Sequence, residues 1–221
     1  MIERYTLPEM GELWTDNTKL KTWLQVEIAV CEAQAELGYI PALAVAEIKA
    51  KANFDLKRVL EIEAEVRHDM IAFLTNVNEY VGDVGRYIHL GLTSSDVLDT
   101  ALALQMVGSL DLLLSCVEEL EQAIRYQAQQ HRETFMVGRS HGIHAEPMTF
   151  GFKLAGWLAE VCRHHQRLVQ LRQNISVGKI SGAVGTYANI DPRVEAIACQ
   201  KLELEPDTAS TQVISRDRHA E

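Results

Sequence analysis

The sequence predicts an all-α protein, and three observations carry that prediction. Apolar residues recur at i, i+3 and i+4 through most of the 221 residues. Between Thr93 and about Met136 no proline intervenes, and only Gly108 weakens the helical pattern. No period-2 alternation of strand length stands out anywhere.

Taken in order, Asp16 can cap a first helix that runs to about Leu37, with Gly38 just past its end. Leu20, Trp23, Leu24, Ile28, Cys31 and Ala35 form its apolar stripe. Pro41 opens a short alanine-rich helix ending near Asn53. Asp55 then starts another, with Leu56, Val59, Leu60, Val66, Met70, Phe73 and Val77 as one face. Gly82, Gly85 and Gly91 break the helical pattern after it. Thr93-Ser94-Ser95-Asp96 is a dense helix start with the spacing of a capping box. The helix beyond it, forty-odd residues at about 1.5 Å each, is a rod of roughly 60 Å. Such a rod fits a bundle built between subunits. A second long helix is expected from about Met148 to Ile175. Asp191-Pro192 opens one more, which ends before Pro206. Ser215 to Glu221 has the look of a helix just begun. The best boundary falls near residue 93, giving a mixed helical domain over 1–93 and a long-helix domain over 94–221.

Bulk chemistry narrows the function. A formal net charge of −10 argues against a nucleic-acid-binding module, which needs a basic face. No uncharged apolar stretch is long enough to cross a bilayer, and Met1-Ile2-Glu3-Arg4 lacks a secretion signal's basic and apolar regions. The cytoplasm is the expected compartment. Cys31, Cys116, Cys162 and Cys199 form no Cys-x-x-Cys pair and read as reduced core thiols.

Four constellations carry possible chemistry. In Gly138-Arg139-Ser140-His141-Gly142-Ile143-His144-Ala145-Glu146-Pro147 a histidine lies between two glycines, on a loop between long helices. Imidazole titrates nearest neutrality, so His141 is the natural general acid or base. His141, His144 and Glu146 lack a metal-ligand framework, and no metal is expected. Thr93-Ser94-Ser95-Asp96 is fully accounted for as a cap, yet free N–H groups and hydroxyls at a helix start also suit a phosphate or carboxylate. Arg67-His68-Asp69 lies inside an otherwise amphipathic helix. A solvated face is the ordinary reading, and a pocket for an anionic ligand is the other. The glycine-rich turn Gly178-Lys179-Ile180-Ser181-Gly182-Ala183-Val184-Gly185 is neither a Walker loop nor a dinucleotide fingerprint, so close backbone packing is its default.

Taken together these segments resemble the adenylosuccinate lyase family of the fumarase and aspartase superfamily. The likeness begins at Met1-Ile2-Glu3-Arg4-Tyr5 and passes through Arg67-His68-Asp69, Leu92-Thr93-Ser94-Ser95-Asp96 and Gly138 to Pro147. It continues with Gly182-Ala183-Val184-Gly185-Thr186 and closes on Gln212-Val213-Ile214-Ser215-Arg216-Asp217. The motifs stand in the family's order along the whole chain. Ser140 stands where the family usually has threonine, which keeps the hydroxyl.

The resemblance implies a helical N-terminal domain followed by the first long helices of a fumarase/aspartase-type bundle. It implies β-elimination of fumarate from adenylosuccinate, giving AMP, and from succinyl aminoimidazole carboxamide ribotide in purine biosynthesis. His141 would be the general acid. Arg4, Tyr5, Arg67, His68, Asp69, Thr93, Ser94 and Gln212 would bind the nucleotide substrate. No cofactor is expected. The family is a homotetramer with sites shared between subunits, and its serine-rich loop with the catalytic base would lie past Glu221. Residues 1–221 alone are therefore expected to be inactive. Another lyase of the superfamily, such as an argininosuccinate lyase, and a non-catalytic helical oligomerisation remnant are the alternatives.

Overall fold

A computed structural model describes residues 2–221. The chain is predominantly helical, as its spacing predicts. The helices are α1 Pro8–Leu13, α2 Asp16–Glu36, α3 Ala42–Lys51, α4 Leu56–Val66, α5 Asp69–Val81, α6 Ser94–Gln130, α7 Phe150–Ile175, α8 Pro192–Lys201 and α9 Asp217–Ala220. Two short sheets accompany them. β1 Phe135–Ser140 pairs antiparallel with β2 Ile143–Thr149, and β3 Val177–Gly178 pairs parallel with β4 Glu205–Pro206. Contacts gather the chain into two compact units, residues up to 108 with 174–221, and residues 109–173. Helices α6 and α7 each contribute to both.

The first unit is built round α2. Its N-cap is Thr15, whose side chain accepts from the Thr18 N–H, so the cap lies one residue before the expected Asp16. Leu20, Trp23 and Cys31 of the expected stripe are buried, but so are Val26, Ala29, Val30 and Ala33. A helix covered on several sides loses a clean stripe. Trp23 meets Phe73 of α5 edge-on at 5.5 Å between ring centres, and Phe54 closes on the same ring. Tyr39 and Arg193 share Asp191, the N-cap of α8.

Two expectations are corrected here. The single helix expected after Asp55 is two. It breaks at Arg67, whose φ of 56° is left-handed, and His68 caps the next helix. Leu60 and Val66, expected on the buried face, are exposed. The break escapes a periodicity reading because Val66, Met70, Phe73 and Val77 keep helical spacing straight through it.

The second unit consists of the outer parts of α6 and α7 joined by the β1–β2 hairpin. The expected rod ends at Gln130 rather than near Met136, and α7 starts at Phe150 rather than Met148, because the residues between form that hairpin. The Arg172 guanidinium grips Asp111 through Nε at 2.5 Å and Nη2 at 3.1 Å. His165 lies 3.4 Å from Glu118. Cys116 is exposed and Cys162 half-buried, against the expectation of core thiols, because much of this stretch of α6 and α7 has no cover within the chain. Cys31 and Cys199 are buried as expected, and burial pushes both thiols up to about 12.

Helix α6 also contains an 18-residue window of mean hydropathy 1.6, apolar enough by length and composition to span a membrane. Its first turns carry Asp96 and Asp99, both buried in ion pairs with later parts of the chain. Those pairs tie its first turns into the first unit.

Candidate functional site

The most organised polar cluster in the first unit lies at the start of α6. Asp96 is fully buried, and its carboxylate gathers donors from two segments. Oδ2 accepts from the Thr93 N–H at 2.9 Å, which is half of the expected capping box. Oδ1 accepts from the Lys179 ammonium at 2.5 Å and from the Ser181 N–H at 3.2 Å. The Gly182 N–H reaches both oxygens. One turn later Asp99 accepts two hydrogen bonds from the Arg216 guanidinium, both at 3.1 Å, and one from the Ile214 N–H at 2.8 Å. The first two turns of α6 thus moor the glycine-rich turn and the 214–216 segment together. Thr93 and Ser94 sit half-buried at this end, and exposed Gln212 lies two residues before the moored Ile214.

The default of close packing for the glycine-rich turn holds at both its ends. A Cβ on Gly178 would lie 2.8 Å from the Cys199 sulfur. One on Gly185, at φ 79°, would lie 2.2 Å from the Ser210 carbonyl oxygen.

The sequence pattern gives no sign of His89, four residues before Thr93. Its φ is 64°, and its backbone N–H donates to Glu27 Oε2 at 3.0 Å. Its Nδ1 lies 2.6 Å from Glu27 Oε1, on a carboxylate only 1 % exposed. Burial opposes the charged ring, but the hydrogen bond and charge of Glu27, with Asp96 behind, raise its pKa above the ordinary 6.5. A raised folded-state value stabilises the fold fully below 6.5, and that contribution fades as pH climbs through the higher folded value. The melting-temperature gap between wild type and His89→Gln should therefore be widest on the acid side and narrow towards alkaline pH. A gap that widens with pH would reverse the assignment. Periodicity could not find His89, because only the distant partner Glu27 gives it significance.

Arg67, His68 and Asp69 occupy the break between α4 and α5. The left-handed Arg67 turns the chain, and the His68 Nδ1 accepts from the Ile71 N–H at 3.4 Å. Asp69 Oδ1 accepts from the Met70 N–H at 2.7 Å and lies 3.5 Å from the His68 ring. A strained non-glycine residue beside an exposed histidine and a half-buried aspartate is better evidence of a site than a triplet inside a helix would have been. Arg67 and Asp69 line two different surface clefts. Arg4 stacks over the ring of Tyr5 at 4.8 Å in a short 3₁₀ turn, both exposed. Among the described residues no hydrogen bond or ion pair links Arg4, Tyr5 or the 67–69 group to the cluster on α6.

His141 belongs to the second unit. The expected loop is a β-hairpin, and His141-Gly142 are its two turn residues, at φ 53° and 75°. Positive φ at both central positions is what a tight hairpin turn needs, and Gly142 supplies the second at no steric cost. Gly138 sits at the register shift between Val137 and Arg139, where a Cβ would come within 2.7 Å of the Glu146 carbonyl oxygen. The imidazole is exposed at the tip, with Arg139, Ser140, His144 and Glu146 exposed around it. Among the described residues no cluster of His, Cys, Asp or Glu has metal-site geometry.

The lyase family matches residues 3–221. The chain is 84 % identical over all 221 residues to an adenylosuccinate lyase of Synechocystis sp. and 51 % identical to one of Bacillus subtilis. In each case the match covers 100 % of this chain and 51 % of the relative, so the chain spans about half the length of the curated relatives it matches. A fumarate lyase structure from Mesorhizobium sp. superposes with a TM-score of 0.89 at 32 % identity, over 96 % of this chain and 51 % of that one. The 3-carboxy-cis,cis-muconate lactonizing enzyme of Pseudomonas putida gives 0.87 at 33 %, over 97 % and 51 %. With the family match running across nearly every residue, and solved lyases sharing the fold, the chain belongs to the lyase family.

Proposed function

We propose that these residues form the N-terminal half of an adenylosuccinate lyase. The observation that carries this reading is the 84 % identity to such an enzyme, unbroken across the whole chain. The reaction releases fumarate from adenylosuccinate to leave AMP, and the same site acts on the succinyl aminoimidazole carboxamide ribotide. A base outside residues 1–221 removes the proton next to a carboxylate. The C–N bond then breaks, and its electron pair stays on the departing purine nitrogen. His141, as imidazolium, gives that nitrogen a proton. An exposed ring on a two-residue turn can enter a site completed by other chains.

Thr93 and Ser94 hold an anionic group of the substrate at the start of α6, where N–H groups and the helix dipole favour negative charge. Arg4, Tyr5, Arg67, His68, Asp69 and Gln212 bind the rest of the nucleotide. In this reading the enzyme is a homotetramer with sites shared between subunits. In that reading 1–93 is the N-terminal domain and 94–221 opens the bundle. The enzyme needs no cofactor and works in the cytoplasm.

Fumarate release by a full-length lyase carrying residues 1–221 tests this directly. Adenylosuccinate is expected to turn over and argininosuccinate is not, while residues 1–221 alone release none. Turnover of argininosuccinate only, or of neither, would overturn the reading.

A further inference from the structure

Lys179 is one of the largest fully buried side chains of the molecule, yet it carries a charge. Its ammonium donates to Asp96 Oδ1 at 2.5 Å and to the Gly182 carbonyl oxygen at 2.7 Å. Its backbone is fixed as well. The Lys179 N–H donates to Thr100 Oγ1 at 3.0 Å, and that hydroxyl donates back to the Lys179 carbonyl at 3.1 Å. A flexible side chain held at both ends and closed to water is an expensive arrangement for a close-packed turn. Close packing alone would be met by an apolar residue.

The neighbouring charge explains it. Asp96 holds the Thr93 N–H and so sets the turn that presents Thr93 and Ser94. It is also a carboxylate in the first turn of α6, just where an anionic substrate group is proposed to bind. An uncompensated negative charge there, buried and poorly screened by salt, would repel that group.

We propose that Lys179 is a positioning residue that cancels the charge of Asp96, so that the turn is held by a carboxylate without losing its attraction for an anion. The inference rests on the lyase reading only in assigning the anion to Thr93 and Ser94. Lys179 touches no substrate and acts through Asp96.

Opposite charge changes test it in the full-length lyase. Lys179→Met leaves the carboxylate unbalanced and is expected to raise the KM for adenylosuccinate about tenfold, with kcat changed far less. Asp96→Asn leaves the ammonium unbalanced and should lower KM. The double variant Asp96→Asn with Lys179→Met restores neutrality and should return KM close to wild type. If Lys179→Met does not fold, Asp96→Asn and the double variant still separate the cases. A purely structural pair would raise KM in all three or in none, and either result overturns the proposal. Calorimetric titration of the same proteins with AMP and with fumarate reads the charge effect without turnover. If adenylosuccinate is not a substrate but the tenfold weakening appears for one of these anions, the lyase reading fails and the Lys179 inference stands. A wild-type protein that binds neither overturns both.

Discussion

His141→Ala in the full-length lyase should lower turnover of adenylosuccinate by about 10²–10⁴-fold, the usual range for a lost general acid. AMP affinity should stay within about threefold, because truncating an exposed turn residue removes no core contact. The fold gives this experiment a control that the sequence alone could not. His141 is left-handed at φ 53°, so alanine loses the imidazole and also strains the turn. Asparagine tolerates that conformation better, so His141→Asn keeps the turn and loses only the proton donor. Equal loss in both variants assigns the effect to the ring. Recovery in His141→Asn would make the residue a turn former, and the assignment of the acid would have to move.

The second large effect concerns stability. Asp96→Ala should destabilise the fold by about 3–5 kcal/mol, the usual cost of breaking a buried ion pair from one side. The Lys179 ammonium would remain sealed in with no counter-charge. The N–H groups of Thr93, Ser181 and Gly182 would lose their acceptor at the same time. Whole proteins are commonly stable by only about 5–15 kcal/mol, so this variant should be near unfolding at ordinary temperature. Denaturant unfolding against wild type measures it. Asp96→Asn keeps one acceptor oxygen but also leaves the ammonium without a counter-charge, so it should recover only part of that loss. A loss below about 1 kcal/mol for Asp96→Ala would mean that water enters the cluster and that the pair contributes little.

The fold class was legible because helix periodicity survives wherever a helix has one buried side. The capped start of α6 and the Asp191-Pro192 start of α8 were visible from local chemistry alone. The hairpin was not, since alternation marks a strand only when one face lies on a core. β1 and β2 are exposed along most of their length, so selection for a core has left no pattern in them. The remaining signal was His141-Gly142 itself, a glycine at the second position of a two-residue turn flanked by short runs. The break at Arg67 carried neither glycine nor proline and could not be read. Among candidate site groups, those defined by a local motif could be named from the sequence. His89 and Lys179 were missed, because each takes its meaning from a carboxylate more than sixty residues away in the chain.

A two-stranded ribbon with little beneath it has small opening free energy of its own. The β1–β2 ribbon is such an element, and the proposed proton donor rides on its end. Amide exchange there should be among the fastest in the molecule. Readiness for chemistry is then a local ordering equilibrium, and a surface that clasps the ribbon, whether bound nucleotide or neighbouring chain, sets the fraction of time the donor is in place.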